Sequence, residues 1–296
     1  MTDRVIDISE LGVRLSIRLE QLVIQRHDEP EMTTPLEELA VLIVSHKGVV
    51  YTHAVLAELA RAGGVFVACD DRHLPVAMML PVAGHHLQCE RFAQQAAASK
   101  PAGKRLWQLL VQSKVALQGR VLRDLRGHDH GLLAMAGRVR SGDTENIEGQ
   151  ASRRYWPALF DNPSFRRDRE AEDQNRLLNY GYAVLRAMVA RAVCASGLHP
   201  SLGLHHHNRY DAFPLADDLM EPFRPLVDRA VVLVVEERGP DAPLDRGTKT
   251  ALVSALTGRF DIEGEARSLS DILHRLAASL AQVYAGERKD LLLPDL

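Results

Sequence analysis

Cysteine is scarce in this sequence: Cys69, Cys89 and Cys194 are the only three in 296 residues, and none stands in a C-x-x-C spacing. That excludes a disulfide framework and a zinc ribbon, and reduced, mostly buried thiols are the expectation. An excess of positive charge is also lacking. Lys and Arg number 36 against 39 Asp and Glu, a net charge of −3, which excludes a globally basic nucleic-acid binder. Any contact with DNA would need local basic patches. No apolar run approaches the roughly 20 residues that span a bilayer, and Met1-Thr2-Asp3-Arg4-Val5-Ile6 lacks the charged-then-apolar pattern of a signal peptide. A cytoplasmic protein with no membrane partner is expected. Repeats, heptads and low-complexity tracts are missing, which argues against a solenoid or a coiled coil. What is present, 46% apolar and 25% charged, suits a sizeable core in one large or two modest domains.

The N-terminal part consists of short apolar runs at strand length. Residues 5–8 are followed by Val13, Leu15 and Ile17 alternating with Arg14, Ser16 and Arg18, and then by residues 21–25. Alternation with period two predicts strands with one buried face. Further runs at 39–44 and 65–69 flank a helical stretch over 53–61 that Gly63-Gly64 should stop. Residues 1–84 therefore read as a small β-rich domain with one helix. Beyond Gly84-His85-His86 strand patterning largely disappears, and residues 87–99, 104–122 and 174–195 follow a helical period. Residues 85–296 read as a mainly helical domain, with 231–235 as buried helix. The fold class is α+β.

Chemistry concentrates in two places. Glu148 stands in Asn146-Ile147-Glu148-Gly149-Gln150-Ala151-Ser152-Arg153-Arg154-Tyr155-Trp156, and a helix starting near Asp143 would place it on one face with Ala151, Ser152 and Tyr155. Gly149 weakens such a helix by about 1 kcal/mol relative to alanine, as expected if a side chain there would obstruct a partner backbone or a substrate. Downstream come His205-His206-His207 and then Asp217-Asp218-Leu219-Met220-Glu221. Pro214 suits a first helical turn, Asp217, Asp218 and Glu221 would then lie on one side, and Pro222 should kink the helix. One carboxylate, one imidazole and a second carboxylate cluster suit a hard divalent cation, and such cations most often serve phosphate chemistry. By spacing alone, Glu148 reads first as a surface residue of a first turn, helped by the helix dipole. The histidine run reads as capping, as surface, or as one or two metal ligands, because successive side chains diverge.

Taken in order, the motifs resemble a known family. They comprise Leu19-Glu20-Gln21-Leu22; Cys69-Asp70-Asp71-Arg72-His73-Leu74-Pro75; Leu106-Trp107-Gln108-Leu109-Leu110-Val111-Gln112-Ser113-Lys114-Val115 with Gln118; and the Glu148 to Trp156 motif. Asn179-Tyr180-Gly181-Tyr182-Ala183-Val184-Leu185-Arg186, Gly203-Leu204-His205-His206 and the segment from Asp217 to Pro225 complete them. Over nearly its whole length the chain resembles the CRISPR-associated integrase and endonuclease that captures new spacers, the first-numbered of the Cas proteins, in its type II form.

The resemblance implies a small N-terminal β-sandwich used for dimerisation and a larger helical catalytic domain. It implies that Glu148, His206 and Glu221 hold Mg²⁺ or Mn²⁺, with Glu221 where other branches carry Asp. Asp218, Asp217 and His205 are candidates for the surrounding layer, as is His207. The implied reaction joins 3′ hydroxyl ends of foreign DNA fragments to the CRISPR repeat by transesterification. The implied partners are double-stranded DNA with free 3′ ends, CRISPR repeat DNA, a second copy of the chain, and the small second adaptation protein. Nucleic-acid contacts would fall to Arg153, Arg154, Arg166, Arg167 and Arg169, with Tyr155 and Trp156 as flat faces or as core. Asn175, Asn179 and Tyr182 would line the site or form a polar stripe, and Lys249 would meet a phosphate or solvent. Two other readings are a non-catalytic subunit of the adaptation complex and a helical zinc protein using His205, His206 and His207.

Overall fold

The N-terminal apolar runs become strands in the computed structural model, which describes residues 4–27, 29–70, 73, 75–206, 209–262 and 264–296. Asp71, Arg72 and Leu74 of the quoted motif, and His207, lie outside the described residues. Strands β1 (Arg4–Ile8), β2 (Arg14–Arg18), β3 (Gln21–Gln25), β4 (Met32–Pro35), β5 (Leu39–Val44) and β6 (Val50–Tyr51) precede helix α1 (His53–Arg61). Strands β7 (Val65–Cys69) and β8 (Pro75–Met79) follow it. They form two four-stranded sheets, ordered β1-β5-β7-β8 and β4-β3-β2-β6. In the first, β1, β5 and β7 run parallel and β8 is an antiparallel edge.

Alternation decides what faces what. Leu15 on β2 and Leu22 and Ile24 on β3 share one core with Leu42 on β5, Phe66 on β7, and Val55 and Leu59 on α1. This is the expected β-sandwich. Strand β5 has no exposed residue, because its other face, with Ala40, Val41 and Ile43, joins Val65 and Val67 of β7 in the core of the helices. A largely parallel sheet covered on both faces reads as a continuous apolar run rather than an alternating one.

The helices are α2 (Gln88–Ala96), α3 (Lys100–Arg126), α4 (Leu132–Ala136), α5 (Ile147–Leu159), α6 (Asn175–Ala195), α7 (Pro214–Met220), α8 (Arg224–Arg238), α9 (Arg246–Thr257) and α10 (Leu269–Tyr284). Ser99 caps α3 through its hydroxyl, which accepts from the Ala102 N–H, and Gly127 at φ 78° stops it. Between these limits α3 runs about 40 Å and packs against α5, α8 and the 221–223 turn. Residues 231–235 are helix, as the sequence predicts, with Val231, Val232 and Val234 buried, but Leu233 is exposed and Val235 only partly buried. Strand β8 departs from expectation, and β9 (Arg259–Ile262) and β10 (Glu265–Ser268) form an unexpected antiparallel hairpin inside the helical part. Helix α6 lies against β5 and β7, and its Tyr180 hydroxyl donates to Asp7 Oδ2 on β1 at 2.9 Å. Among the described residues, no helix is long and apolar enough to cross a membrane. Of the cysteines, Cys194 is buried, Cys69 half-buried and Cys89 exposed, so the expectation of mostly buried thiols fails for Cys89.

Candidate active site

Glu148 enters the site from the first turn of α5. That helix begins at Ile147 rather than near Asp143, because Asn146 adopts a left-handed conformation at φ 51° and serves as its N-cap. Asp143 instead accepts from the Ile147 and Glu148 N–H groups at 2.8 and 3.0 Å. A Cβ on Gly149 would lie 2.6 Å from Asn146 Oδ1, the atom that accepts from the Gly149 N–H. The glycine therefore makes room for the cap, not for a partner backbone or a substrate.

The acidic segment is divided among three tasks. Helix α7 ends at Met220, a short 3₁₀ turn covers Glu221–Phe223, and α8 starts at Arg224, so the chain breaks where Pro222 was expected to kink it. Asp217, Asp218 and Glu221 do not share one side. Asp217 pairs with Arg186 of α6 at 2.7 Å, and burial, opposed by that arginine, pushes its pKa up to about 6. Asp218 is wholly buried and builds the histidine loop. Its carboxylate accepts from the N–H groups of Leu204, His205 and His206 at 2.6, 3.0 and 3.3 Å and contacts His206 Nδ1 at 2.5 Å. A Cβ on Gly203 would meet His206 O at 2.6 Å and Asp218 Oδ2 at 3.1 Å, so only glycine allows this tight wrap.

Glu221 turns the opposite way, towards Lys114 in the middle of α3. The Lys114 ammonium lies 2.5 Å from Glu148 Oε1 and 2.5 Å from Glu221 Oε2, and Arg224 flanks Glu221 at 2.8 Å. Burial lowers the Lys114 pKa, but the charges of Glu221 and Glu148 outweigh it and raise it overall. Burial likewise opposes ionisation of Glu221, yet Arg224 and Lys114 hold it well below the usual carboxylate range. His206 is raised, first by its hydrogen bond to Asp218 against the effect of burial, and then by the charges of Asp218, Glu221 and Glu148. Because Asp218 takes Nδ1, the other ring nitrogen is left to the site.

Beneath this layer Asp228 of α8 is fully buried and accepts from the hydroxyls of Tyr155, at 2.9 Å, and Tyr182. Burial pushes it up to about 6 despite both tyrosine hydrogen bonds. Arg224 lies over the Tyr182 ring at 4.6 Å and Arg167 at 5.5 Å, so the ring is flanked by two guanidinium groups.

Several nucleic-acid candidates are committed elsewhere. Tyr155, Asn175 and Lys249 are buried. Asn175 and Asn179 bind Arg167 through their side-chain oxygens and tie down the 166–169 loop through Arg166 O and Arg169 O. Lys249 sits 3.0 Å from His73 Nδ1 and 3.4 Å from Asp7, inside the junction with the sandwich. The position expected to meet a phosphate or solvent thus meets neither. Arg153, Arg154 and Arg166 are exposed, and Trp156 packs in the core with Phe160 and Phe165. A cleft of about 510 Å³ beside the site is lined by Arg167, Arg169, Tyr182, Arg186, His206 and Arg224 among others. His205 stacks on Trp107, with centroids 4.2 Å apart and planes 2° apart, while His206 meets the same indole edge-on.

Among the described residues, no three His, Cys, Asp or Glu side chains form a ready-made metal cage. The geometry explains it: an ammonium stands between Glu148 and Glu221, and Asp218 is spent on the loop. The donor set nevertheless fits a hard cation. Glu148 and Glu221 meet at a place already occupied by a positive charge, and the His206 imidazole lies near enough to feel both carboxylates. Lys114, Arg186, Arg224 and Asp228 carried no assigned role in the sequence reading. The available signal was Lys114 in register with Leu110, Leu117 and Val121, a lysine on an apolar helix stripe that needs a buried partner.

The family described as CRISPR associated protein Cas1 matches residues 6–242. A CRISPR-associated endonuclease Cas1 of Neisseria meningitidis serogroup C (strain 8013) is 38% identical over 289 residues, which cover 96% of this chain and 94% of that protein. A casposase bound to integration product superposes with a TM-score of 0.80 at 20% identity, over 97% of this chain and 92% of that one. A Cas6-RT-Cas1–Cas2 complex superposes with a TM-score of 0.78 at 16% identity, over all of this chain (100%) and 36% of the larger one. These last two show the shared fold. With the family match spanning most of the sequence and a 38% identical relative aligned almost end to end, the chain belongs to the Cas1 family.

Proposed function

We propose that this chain is a metal-dependent DNA endonuclease and integrase of CRISPR adaptation, joining 3′ hydroxyl ends of foreign DNA to the CRISPR repeat by transesterification. The observation that carries the reading is the meeting of Glu148 and Glu221 at one cationic position, with His206 near enough to feel both charges, in a chain 38% identical to a protein named as an endonuclease. Glu148, Glu221 and His206 would hold Mg²⁺ or Mn²⁺. When bound, such an ion polarises the scissile phosphate and helps to activate the attacking oxygen. Asp218 fixes the imidazole by holding Nδ1, which would leave the other ring nitrogen to an ion. Arg167, Arg169, Arg186 and Arg224 line the neighbouring cleft and would balance the phosphates of a bound duplex.

The partners follow the same reading. They are double-stranded DNA with free 3′ ends, CRISPR repeat DNA, the small second adaptation protein in the cytoplasm, and a second copy paired through residues 1–84. Support for pairing through that part comes from Leu11, Leu19, Val50, Val76 and Val82, apolar side chains between 59% and 91% exposed. The zinc alternative is not favoured, since His205 lies flat on the Trp107 indole and Asp218 already holds Nδ1 of His206.

The test is strand transfer of a short duplex with free 3′ hydroxyls into a supercoiled plasmid bearing a CRISPR repeat, with the small adaptation protein present. Product should form with Mn²⁺ or Mg²⁺ and vanish with EDTA, and His206→Ala should lower it by about 100-fold or more. Metal-independent product, or full activity of His206→Ala, would reject this site; no product at all would favour the non-catalytic subunit. Duplex binding measured against salt gives a second check. Arg169→Ala should weaken binding and shrink the log–log salt slope by about one counterion, and an unchanged slope would take the cleft out of the DNA path.

A further inference from the structure

Lys114 is the least expected member of the site. Its side chain is 10% exposed, on a helix of 27 residues, with its ammonium 2.5 Å from each of the two carboxylates assigned above as cation ligands. We propose that Lys114 is the site's resident counter-ion: it holds Glu148 and Glu221 together in the metal-free protein and competes with the divalent ion for the same place. The proposal rests on the metal reading above and extends it to what sets the affinity.

Three observations carry it. Two carboxylates brought together in a buried site repel, so without a cation between them the pair would separate or take up a proton. Lys114 supplies that charge. Secondly, its ammonium stands 2.5 Å from each carboxylate at the end of a flexible four-carbon stem. Such a stem can withdraw without moving the helix, which leaves the place between the carboxylates to a divalent ion. Thirdly, Lys114 and Arg224 already balance Glu148 and Glu221. A doubly charged ion added beside an unmoved ammonium would leave two buried positive charges without partners. If the ammonium withdraws along its flexible stem, one positive charge remains, and a single phosphodiester matches it. Lys114 would thus keep metal binding weak until DNA arrives, coupling the two ligands.

The experiment is Mn²⁺ titration of the full chain without DNA, with free Mn²⁺ followed by electron paramagnetic resonance. Wild type, Lys114→Met, Lys114→Gln and Glu148→Gln are compared, with thermal unfolding of each in EDTA and in Mn²⁺. Lys114→Met and Lys114→Gln should bind Mn²⁺ at least about tenfold more tightly than wild type, melt lower in EDTA, and gain more from Mn²⁺ than wild type does. Glu148→Gln should bind more weakly. Equal or weaker binding by the Lys114 variants would overturn the proposal while leaving the metal reading intact. Absence of Mn²⁺ binding by any of the proteins would overturn both. Should the Lys114 variants not fold, a structure of the wild type with Mn²⁺ decides. An ammonium that has left both carboxylates supports the proposal, and one still within about 3.2 Å of both, alongside the ion, refutes it.

Discussion

Glu221→Ala should abolish strand transfer and also cost about 3–5 kcal/mol of stability, the range expected when one partner of a buried ion pair is removed. From the sequence, substitution at any ligand position would be expected to spare the fold. Burial changes that expectation for Glu221, which is 4% exposed between Lys114 and Arg224. Its loss leaves two buried cations facing each other. Glu148→Ala should be equally inactive but lose far less stability, since the Glu148 side chain is 27% exposed and accepts its hydrogen bond from Lys114 at the edge of the cluster. Urea unfolding of the two variants beside strand transfer separates the effects. The pH dependence carries the same signature. The Glu221 pKa is depressed in the folded protein, so its stabilisation is present above the ordinary carboxylate pKa and is lost as pH falls through the lower folded value. Glu221→Ala should therefore flatten the acid limb of stability. A variant that unfolds with wild type, or keeps the wild-type acid limb, would mean that the Lys114–Glu221–Arg224 cluster contributes little.

Asp218→Ala should be the next most damaging change, although Asp218 is not one of the assigned ligands. It removes the single acceptor that gathers the N–H groups of Leu204, His205 and His206 and fixes the His206 ring. Each orphaned donor costs about 1–3 kcal/mol if water cannot reach it. The loop is partly open, so a total of about 3 kcal/mol is expected, with activity lower by about 10–100-fold as the imidazole loses its orientation. Asp218→Asn should behave similarly, because its amide would turn a donor towards three other donors. Hydrogen exchange at residues 204–206, which should speed up in both variants, distinguishes loop loss from global unfolding. Unchanged exchange with normal activity would discard the positioning role.

The same residues mark the limit of what the sequence could disclose. Period-two alternation exposed the sandwich, and the apolar runs of α6 and α8 were readable because their burial is set by local pattern. The hairpin formed by β9 and β10 was not readable, since Arg259-Phe260-Asp261-Ile262 and Glu265-Ala266-Arg267-Ser268 are short, charged and largely exposed. Strand β8 hid for a related reason: it opens on Pro75 and turns Val76 outward. At the site, the motifs located Glu148, His206 and Glu221, but spacing placed Asp217, Asp218 and Glu221 on one side. Neighbouring helical residues point about 100° apart, so Asp217 reaches α6 while Asp218 reaches the loop. Lys114 lay in a quoted motif without a role, because no local rule tells which distant carboxylates will meet a lysine on an apolar stripe. That information is tertiary.

Strand β5 and its neighbour β7 belong to two cores at once, with Leu42 and Phe66 facing the sandwich and Ala40, Val41, Ile43, Val65 and Val67 facing the helices. Asp7, Tyr180 and Lys249 close the same seam with polar contacts. The two parts are therefore poor candidates for separation by limited proteolysis or for recombination in evolution. A helical fragment starting after β8 would carry an apolar scar where the sheet had been, and a swapped sandwich from a distant relative would have to match both faces. Added modules are accommodated more readily at the ends of such a chain than between its halves.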